Sequence, residues 1–127
     1  MINILITIGI GGALGAITRY LSGVWLSLVI PNKPYVSTLF VNVIGSLLIG
    51  LFYLISEHMI IKDNIRLLFV VGFLGSLTTF STFSYEFMTM INEKNYLLAI
   101  SYILLNILLS GILIYIFFKF TKNWWII

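Results

Sequence analysis

Four long apolar stretches, separated by short polar turns, occupy nearly all of this 127-residue sequence. A helix that crosses the hydrocarbon core of a bilayer, which is about 30 Å thick, needs roughly 20 mostly apolar residues. The four stretches cover residues 2–30, 36–56, 65–91 and 96–118. Each is continuously apolar rather than alternating, which favours helices over a membrane β-barrel. We therefore predict an all-α membrane protein in which residues 1–127 form a single four-helix transmembrane domain.

The composition excludes several other classes of protein. Hydrophobic residues make up 61% of the chain and charged residues 9%, whereas a soluble domain is roughly 45–50% apolar and about 25% charged. The basic residues are scattered rather than clustered, so we expect no nucleic-acid partner. With no Cys and a single His, the sequence offers no disulfide, thiolate metal site or cysteine nucleophile. We expect no enzymatic activity.

The basic residues give little bias to the orientation of the chain in the membrane. If the N-terminus is cytoplasmic, the cytoplasmic side carries four basic residues: Lys62, Arg66, Lys119 and Lys122. The opposite side then carries three: Arg19, Lys33 and Lys94. A difference of four against three is compatible with insertion in both orientations, and also with a single orientation with the N-terminus inside.

The third apolar stretch holds the strongest functional signal. Six of the nine residues from Ser76 to Ser84 carry hydroxyl groups, and Phe80 and Phe83 lie among them. Threonines that follow Gly72 and Gly75 weaken the helix, so we predict a break in the third helix. Such a break frees backbone carbonyl oxygens, which suit a hard alkali cation. A phenyl ring has a positive edge that can face a small anion.

Polar residues in the other stretches leave alternatives open. Asn42 shares a helical face with Thr38, and its amide can bond another helix or contact an anion. Arg19 can reach an interface or attract anions from a wet vestibule. Glu86 is either a pore-mouth residue or an ordinary interfacial acid. On the fourth stretch, a polar stripe at intervals of four consists of Tyr102, Asn106 and Ser110.

Three motifs resemble the Fluc (CrcB-type) fluoride channel family. They are GGALGAITRY at residues 11–20, STLFVNVIGS at 37–46 and GFLGSLTTFSTF at 72–83. They occur in the family's order, in a chain of the family's length with four spans, and the third is the most specific. The resemblance implies passive efflux of fluoride through an antiparallel, dual-topology homodimer with two pores, in the inner (plasma) membrane and surrounded by the lipid bilayer.

The resemblance also implies roles for individual residues. Phe80 and Phe83 are similar to the paired rings whose edges face fluoride. Asn42 is similar to the pore asparagine of the second helix, which works against the phenylalanines of the partner subunit. Ser81 and Thr82 resemble a hydroxyl track beside the rings. On spacing alone, the track is extended by Thr38, Tyr102 and Ser110.

Two further pairs follow from the same resemblance. Arg19 and Glu86 are similar to vestibule residues. Gly75 and Thr78 are similar to the positions whose backbone carbonyls, from both subunits, hold a structural Na+ ion at the dimer centre.

Two other functions compete with the channel. A small dual-topology, proton-coupled multidrug or cation exporter needs a membrane-embedded carboxylate, and Glu86 is the only candidate within a span. In the first stretch, Gly11 and Gly15 have the spacing of small residues that allows close helix packing. An accessory subunit that packs on a larger complex accounts for these glycines but not for the hydroxyl groups of the third stretch.

Overall fold

The computed structural model describes residues 1–120, so Lys122 of the charge count lies outside the described residues. The described part of the chain is helical, with no strands. Its elements, in order, are α1 (Ile2–Val29), α2 (Tyr35–His58), α3 (Asp63–Arg66), a π-helical segment (Leu67–Leu74), α4 (Gly75–Leu77), α5 (Ser81–Asn92) and α6 (Tyr96–Phe120). Within residues 1–120, four helices are long and apolar enough to cross a membrane, the third being Asp63–Asn92. The predicted all-α fold with four spans is confirmed.

The turns between spans follow from local backbone chemistry. Pro34 caps α2, where its missing N–H costs nothing because the first turn of a helix has no partner for it. Asn32 in the first turn has φ 63°, a left-handed conformation that asparagine tolerates well. Lys94 takes a similar φ of 60° between α5 and α6. These short turns make consecutive spans antiparallel neighbours.

The predicted break in the third span lies at residues 78–80. Thr78 leaves the helix with φ −80° and ψ 155°, an extended conformation, and the helix resumes at Ser81. Backbone of this kind is tolerated at membrane depth only where protein or a wet cavity surrounds it. The break therefore marks the part of the third span where a polar environment is required.

α1 packs closely against the π-helical segment. A Cβ atom added to Gly15 would overlap the carbonyl oxygen of Phe73, and one added to Gly11 would overlap that of Leu68. A Cβ on Gly72, from the other side, would lie 2.6 Å from the carbonyl oxygen of Ile8. The two backbones touch because glycine occupies the contact points, as the small-residue spacing indicates.

Two buried clusters hold the remaining helices together. One contains Val41, Leu74 and Leu77, which join α2 to the first half of the third span. The other contains Met90, Ala99 and Tyr102, which join α5 to α6. The break lies in the chain between these clusters, so the packing on each side fixes the position of residues 78–80.

Candidate functional site

The side chain of Asn42 bridges the break in the third span. Its Oδ1 accepts a hydrogen bond from the backbone N–H of Thr79 at 2.9 Å, and its Nδ2 donates to the carbonyl oxygen of Thr79 at 3.2 Å. One amide thereby satisfies both backbone groups of a residue that has left the helix. An unpaired buried backbone group costs about 1–3 kcal/mol, so this two-point clamp stabilises the break.

The clamp changes which carbonyls of the third span have partners. In an unbroken α-helix the N–H of Thr79 would donate to the carbonyl of Gly75, but here it donates to Asn42. Likewise, the N–H of Thr82 donates to Oγ1 of Thr79 at 3.3 Å instead of the carbonyl of Thr78. The carbonyl oxygens of Gly75 and Thr78 thus lose their helical donors and are available to another ligand.

A groove of about 460 Å³ runs beside the break. Its polar and aromatic lining consists of Asn42, Ser46, Thr78, Thr79, Phe80, Phe83, Asn106 and Ser110, together with Gly75 and aliphatic side chains. The ring of Phe80 is 78% exposed and lies 5.6 Å from that of Phe83, centroid to centroid, at an interplanar angle of 40°. The groove combines two aromatic rings with hydroxyl and amide groups.

A second cavity of about 600 Å³, the Arg19 cavity, lies beside the groove. Its charged lining consists of Arg19, Lys33 and Glu86, and Thr38, Thr79 and Thr82 contribute hydroxyls. Two basic residues against one acid give this cavity a positive balance, which concentrates anions. Thr79 lines both cavities, so the clamped residue stands between them.

Glu86 is tied to two hydroxyl groups. Its Oε1 accepts a hydrogen bond from Thr38 at 3.1 Å, and its Oε2 accepts one from the hydroxyl of Tyr102 at 2.6 Å. The residue lies well inside α5, which continues to Asn92, rather than close to the end of the span. Tyr102 is 2% exposed and packs its ring against Phe83 at 5.3 Å.

The structure brings many of the predicted site residues together, in two places. Asn42, Phe80, Phe83 and Ser110 line the groove, together with the two predicted carbonyl donors, Gly75 and Thr78. Arg19 and Glu86, the predicted vestibule pair, line the Arg19 cavity with Thr38 and Thr82.

Two predicted hydroxyl-bearing residues line neither of these two cavities. Ser81 is exposed, with its Oγ 3.5 Å from Oγ1 of Thr79. Tyr102 is buried with its hydroxyl on Glu86. The polar groove residues outside the predicted site set are Ser46, Thr79 and Asn106. Ser46 lies one helical turn after Asn42, and that spacing is the signal that could have found it.

Comparisons with known proteins agree with this architecture. Residues 6–118 match the family described as "CrcB-like protein, Camphor Resistance (CrcB)". A "Fluoride-specific ion channel FluC" of a Nitratiruptor species is 42% identical over 108 residues, which cover 85% of this chain and 84% of that protein. The protein of the same name from Campylobacter fetus subsp. fetus is 43% identical over 116 residues, or 91% of each chain.

Proposed function

Because the chain belongs to the CrcB-like family, we propose that it is a fluoride-specific ion channel that lowers cytoplasmic fluoride by passive efflux of the anion. It is a multi-pass membrane protein, and the family consists of ion channels rather than enzymes. We assign it to the inner (plasma) membrane, where the negative potential drives an anion outward. Each elementary charge that crosses 100 mV gains about 2.3 kcal/mol.

The observation that carries the proposal is the lining of the groove. Within the described residues its lining holds no formal charge, and it places the rings of Phe80 and Phe83 beside hydroxyl and amide groups. Fluoride is a small anion that must exchange water for other donors as it crosses. The positive edges of rings and neutral hydrogen-bond donors can replace that water without binding the ion so tightly that it cannot leave.

The Arg19 cavity is the entrance in this mechanism. Its positive balance raises the local concentration of anions. The carboxylate of Glu86 already accepts two hydrogen bonds, from Thr38 and Tyr102, which spread part of its charge onto neutral hydroxyls. An anion that enters past Arg19 therefore meets less repulsion from Glu86 than it would from a free carboxylate.

The functional unit in this proposal is an antiparallel homodimer. In a single copy the groove is open and Phe80 is 78% exposed, while Ser81 and Thr82 are exposed in the middle of a span. Polar groups at that depth are costly in contact with lipid, so a protein surface is needed to cover them. A second copy in the opposite orientation supplies one, and the small charge bias of the turns permits that orientation.

A Na+ ion at the centre of that dimer fits the residues present. The carbonyl oxygens of Gly75 and Thr78 have lost their helical donors to Asn42 and Thr79, and hard cations prefer oxygen ligands. These two carbonyls from each copy would hold the ion. When bound, the ion supplies a positive charge that offsets the carbonyl dipoles at the break.

The exporter alternative is not favoured by the family to which the chain belongs. Such a protein uses a carboxylate that exchanges protons with its substrate. Glu86 is the single acid in the interior of the described spans, and its two hydrogen bonds hold it in place. The two functions differ in their dependence on a proton gradient.

Ion flux from liposomes that contain the purified protein tests the function. We expect rapid efflux of fluoride, no measurable efflux of chloride, and no dependence of the fluoride rate on an imposed pH gradient. Substitution Phe80→Ile should lower fluoride efflux by about tenfold, because an aliphatic chain lacks the positive edge that a ring can turn toward an anion. A tenfold change in rate corresponds to about 1.4 kcal/mol.

The matched control is Phe120→Ile, since Phe120 is also exposed, at 68%, but does not line the groove. It should leave the rate unchanged. Equal efflux of chloride and fluoride, or fluoride efflux that stops without a proton gradient, would contradict the channel.

Dual topology predicts that each turn is found on both sides of the membrane. The chain has no native Cys, so an Asn95→Cys variant carries a single thiol in the turn between α5 and α6. A membrane-impermeant maleimide should label about half of the molecules in intact cells, because the charge bias barely distinguishes the two orientations. Lys62→Cys, in the turn at the opposite end of the bundle, should give the same fraction. Labelling of only one of the two variants would show a single orientation.

A further inference from the structure

The amides of Asn42 and Asn106 form a directed chain of hydrogen bonds across the groove. Nδ2 of Asn106 donates to the carbonyl oxygen of Tyr102 at 3.1 Å, and Nδ2 of Asn42 donates to Oδ1 of Asn106 at 3.0 Å. The N–H of Thr79 donates to Oδ1 of Asn42 at 2.9 Å. A backbone acceptor at one end and a backbone donor at the other fix the orientation of both amides.

The direction of this chain leaves Asn42 without a free hydrogen. A side-chain amide has two N–H hydrogens. Asn42 gives one to the carbonyl oxygen of Thr79, as part of the clamp, and the other to Asn106. Fluoride can only accept hydrogen bonds. A direct contact between the ion and Asn42 therefore requires that one of these two bonds opens.

Of the two hydrogen bonds that Asn42 donates, the one to Asn106 opens at the lower cost in free energy. The bond to Thr79 belongs to a two-point contact, and opening it exposes a backbone carbonyl at membrane depth. Opening the other bond frees only a side-chain oxygen of Asn106, a residue that also lines the groove. Fluoride would take the place of that oxygen.

We propose that Asn106 is a positioning residue whose Oδ1 accepts the second hydrogen of the Asn42 amide between ions, so that each permeating fluoride displaces Oδ1 of Asn106. This inference rests on the proposed function. Because fluoride and Oδ1 of Asn106 replace each other as acceptors, the Asn42 amide always has a partner. The fluoride affinity of the site is then lower than it would be if the amide had no other acceptor. A conducting site needs such weak binding, because the ion must leave as well as enter.

Fluoride efflux at low fluoride concentration tests this role, because capture of the ion then limits the rate. Asn106→Leu removes the competing oxygen and is similar in size, and Asn106→Ala removes it while leaving space. We expect both variants to raise efflux by about two- to tenfold over wild type, the factor that corresponds to one released hydrogen bond. The carbonyl of Tyr102 keeps its backbone bond in both, since α6 is continuous.

Two controls separate this role from a merely structural one. Ser101→Ala deletes a hydroxyl of the same helix that, within the described residues, bonds only to the carbonyl of Leu97, and it should leave the rate unchanged. In an Asn42→Leu background, Asn106→Leu should give no gain, because Asn106 acts through the amide of Asn42.

The outcomes distinguish this inference from the function on which it rests. Wild-type liposomes that pass no fluoride would contradict the channel itself. Wild-type flux together with unchanged or lower flux in both Asn106 variants would overturn only the role of Asn106. A gain that persists in the Asn42→Leu background would also overturn it.

Discussion

Replacing Asn42 with leucine is expected to reduce fluoride efflux by about ten- to hundredfold and to lower the thermal stability of the protein. Leucine is similar in size but leaves the N–H and the carbonyl of Thr79 without their partner. Each unsatisfied backbone group costs about 1–3 kcal/mol, so the break should lose its fixed geometry. Since Thr79 stands between the groove and the Arg19 cavity, movement there interrupts the path of the ion.

Efflux from liposomes and the midpoint of thermal unfolding in detergent measure the two effects. The matched control is Ser46→Ala, because Ser46 lies one turn further along α2 and lines the same groove. Among residues 1–120, the hydroxyl of Ser46 donates only to the carbonyl of Asn42 in its own helix, at 2.9 Å. Its hydrogen is thus already used, and loss of the hydroxyl should change neither quantity appreciably. Equal effects of the two substitutions would show that the clamp on Thr79 has no special role.

Replacing Gly15 with alanine is expected to prevent the normal packing of α1. The added Cβ would overlap the carbonyl oxygen of Phe73, and its next nearest neighbours are also backbone atoms, which cannot rotate away. α1 must then separate from the π-helical segment. Overpacking of a tight core lowers the free energy of unfolding by about 1–3 kcal/mol even where side chains can adjust. We expect Gly15→Ala to lower it by at least that much.

The position of the glycine, rather than the substitution itself, should decide the result. Gly9 lies in the same helix, and a Cβ there meets nothing within 4 Å. Gly9→Ala should leave the unfolding midpoint unchanged or raise it slightly, because alanine is the better helix former. Size-exclusion chromatography and thermal unfolding of both variants provide the measurement. An equal midpoint for the two would mean that α1 does not contact the π-helical segment as closely as the structure shows.

The sequence predicts a break in the third helix and singles out several residues that line the groove, because those signals are local. Hydroxyl-rich sequence after glycines marks a weak helix, and Phe80 and Phe83 lie in the same short motif as the break. Asn42 was singled out since it is an uncharged amide inside an apolar span. The roles of these residues toward fluoride and sodium stay predictions until the flux and variant experiments are done.

Other contacts could not be predicted because they join distant parts of the chain. Thr38 and Glu86 are 48 residues apart, and Asn42 and Asn106 are 64 residues apart. Such pairs depend on how far one helix slides and rotates against another, which no single stretch specifies. For the same reason the sequence does not show that Tyr102 bonds Glu86 and packs on Phe83.

The sequence by itself determined that this chain crosses a membrane with four helices and that the third is broken. Bilayer thickness sets the length of a span, and the local preference for helix sets where a span fails. Only the tertiary structure decided that Asn42 holds both backbone groups of Thr79 and gives its last hydrogen to Asn106. Hydrogen bonds between helices require both partners within about 3 Å, and only the packed helices set that distance.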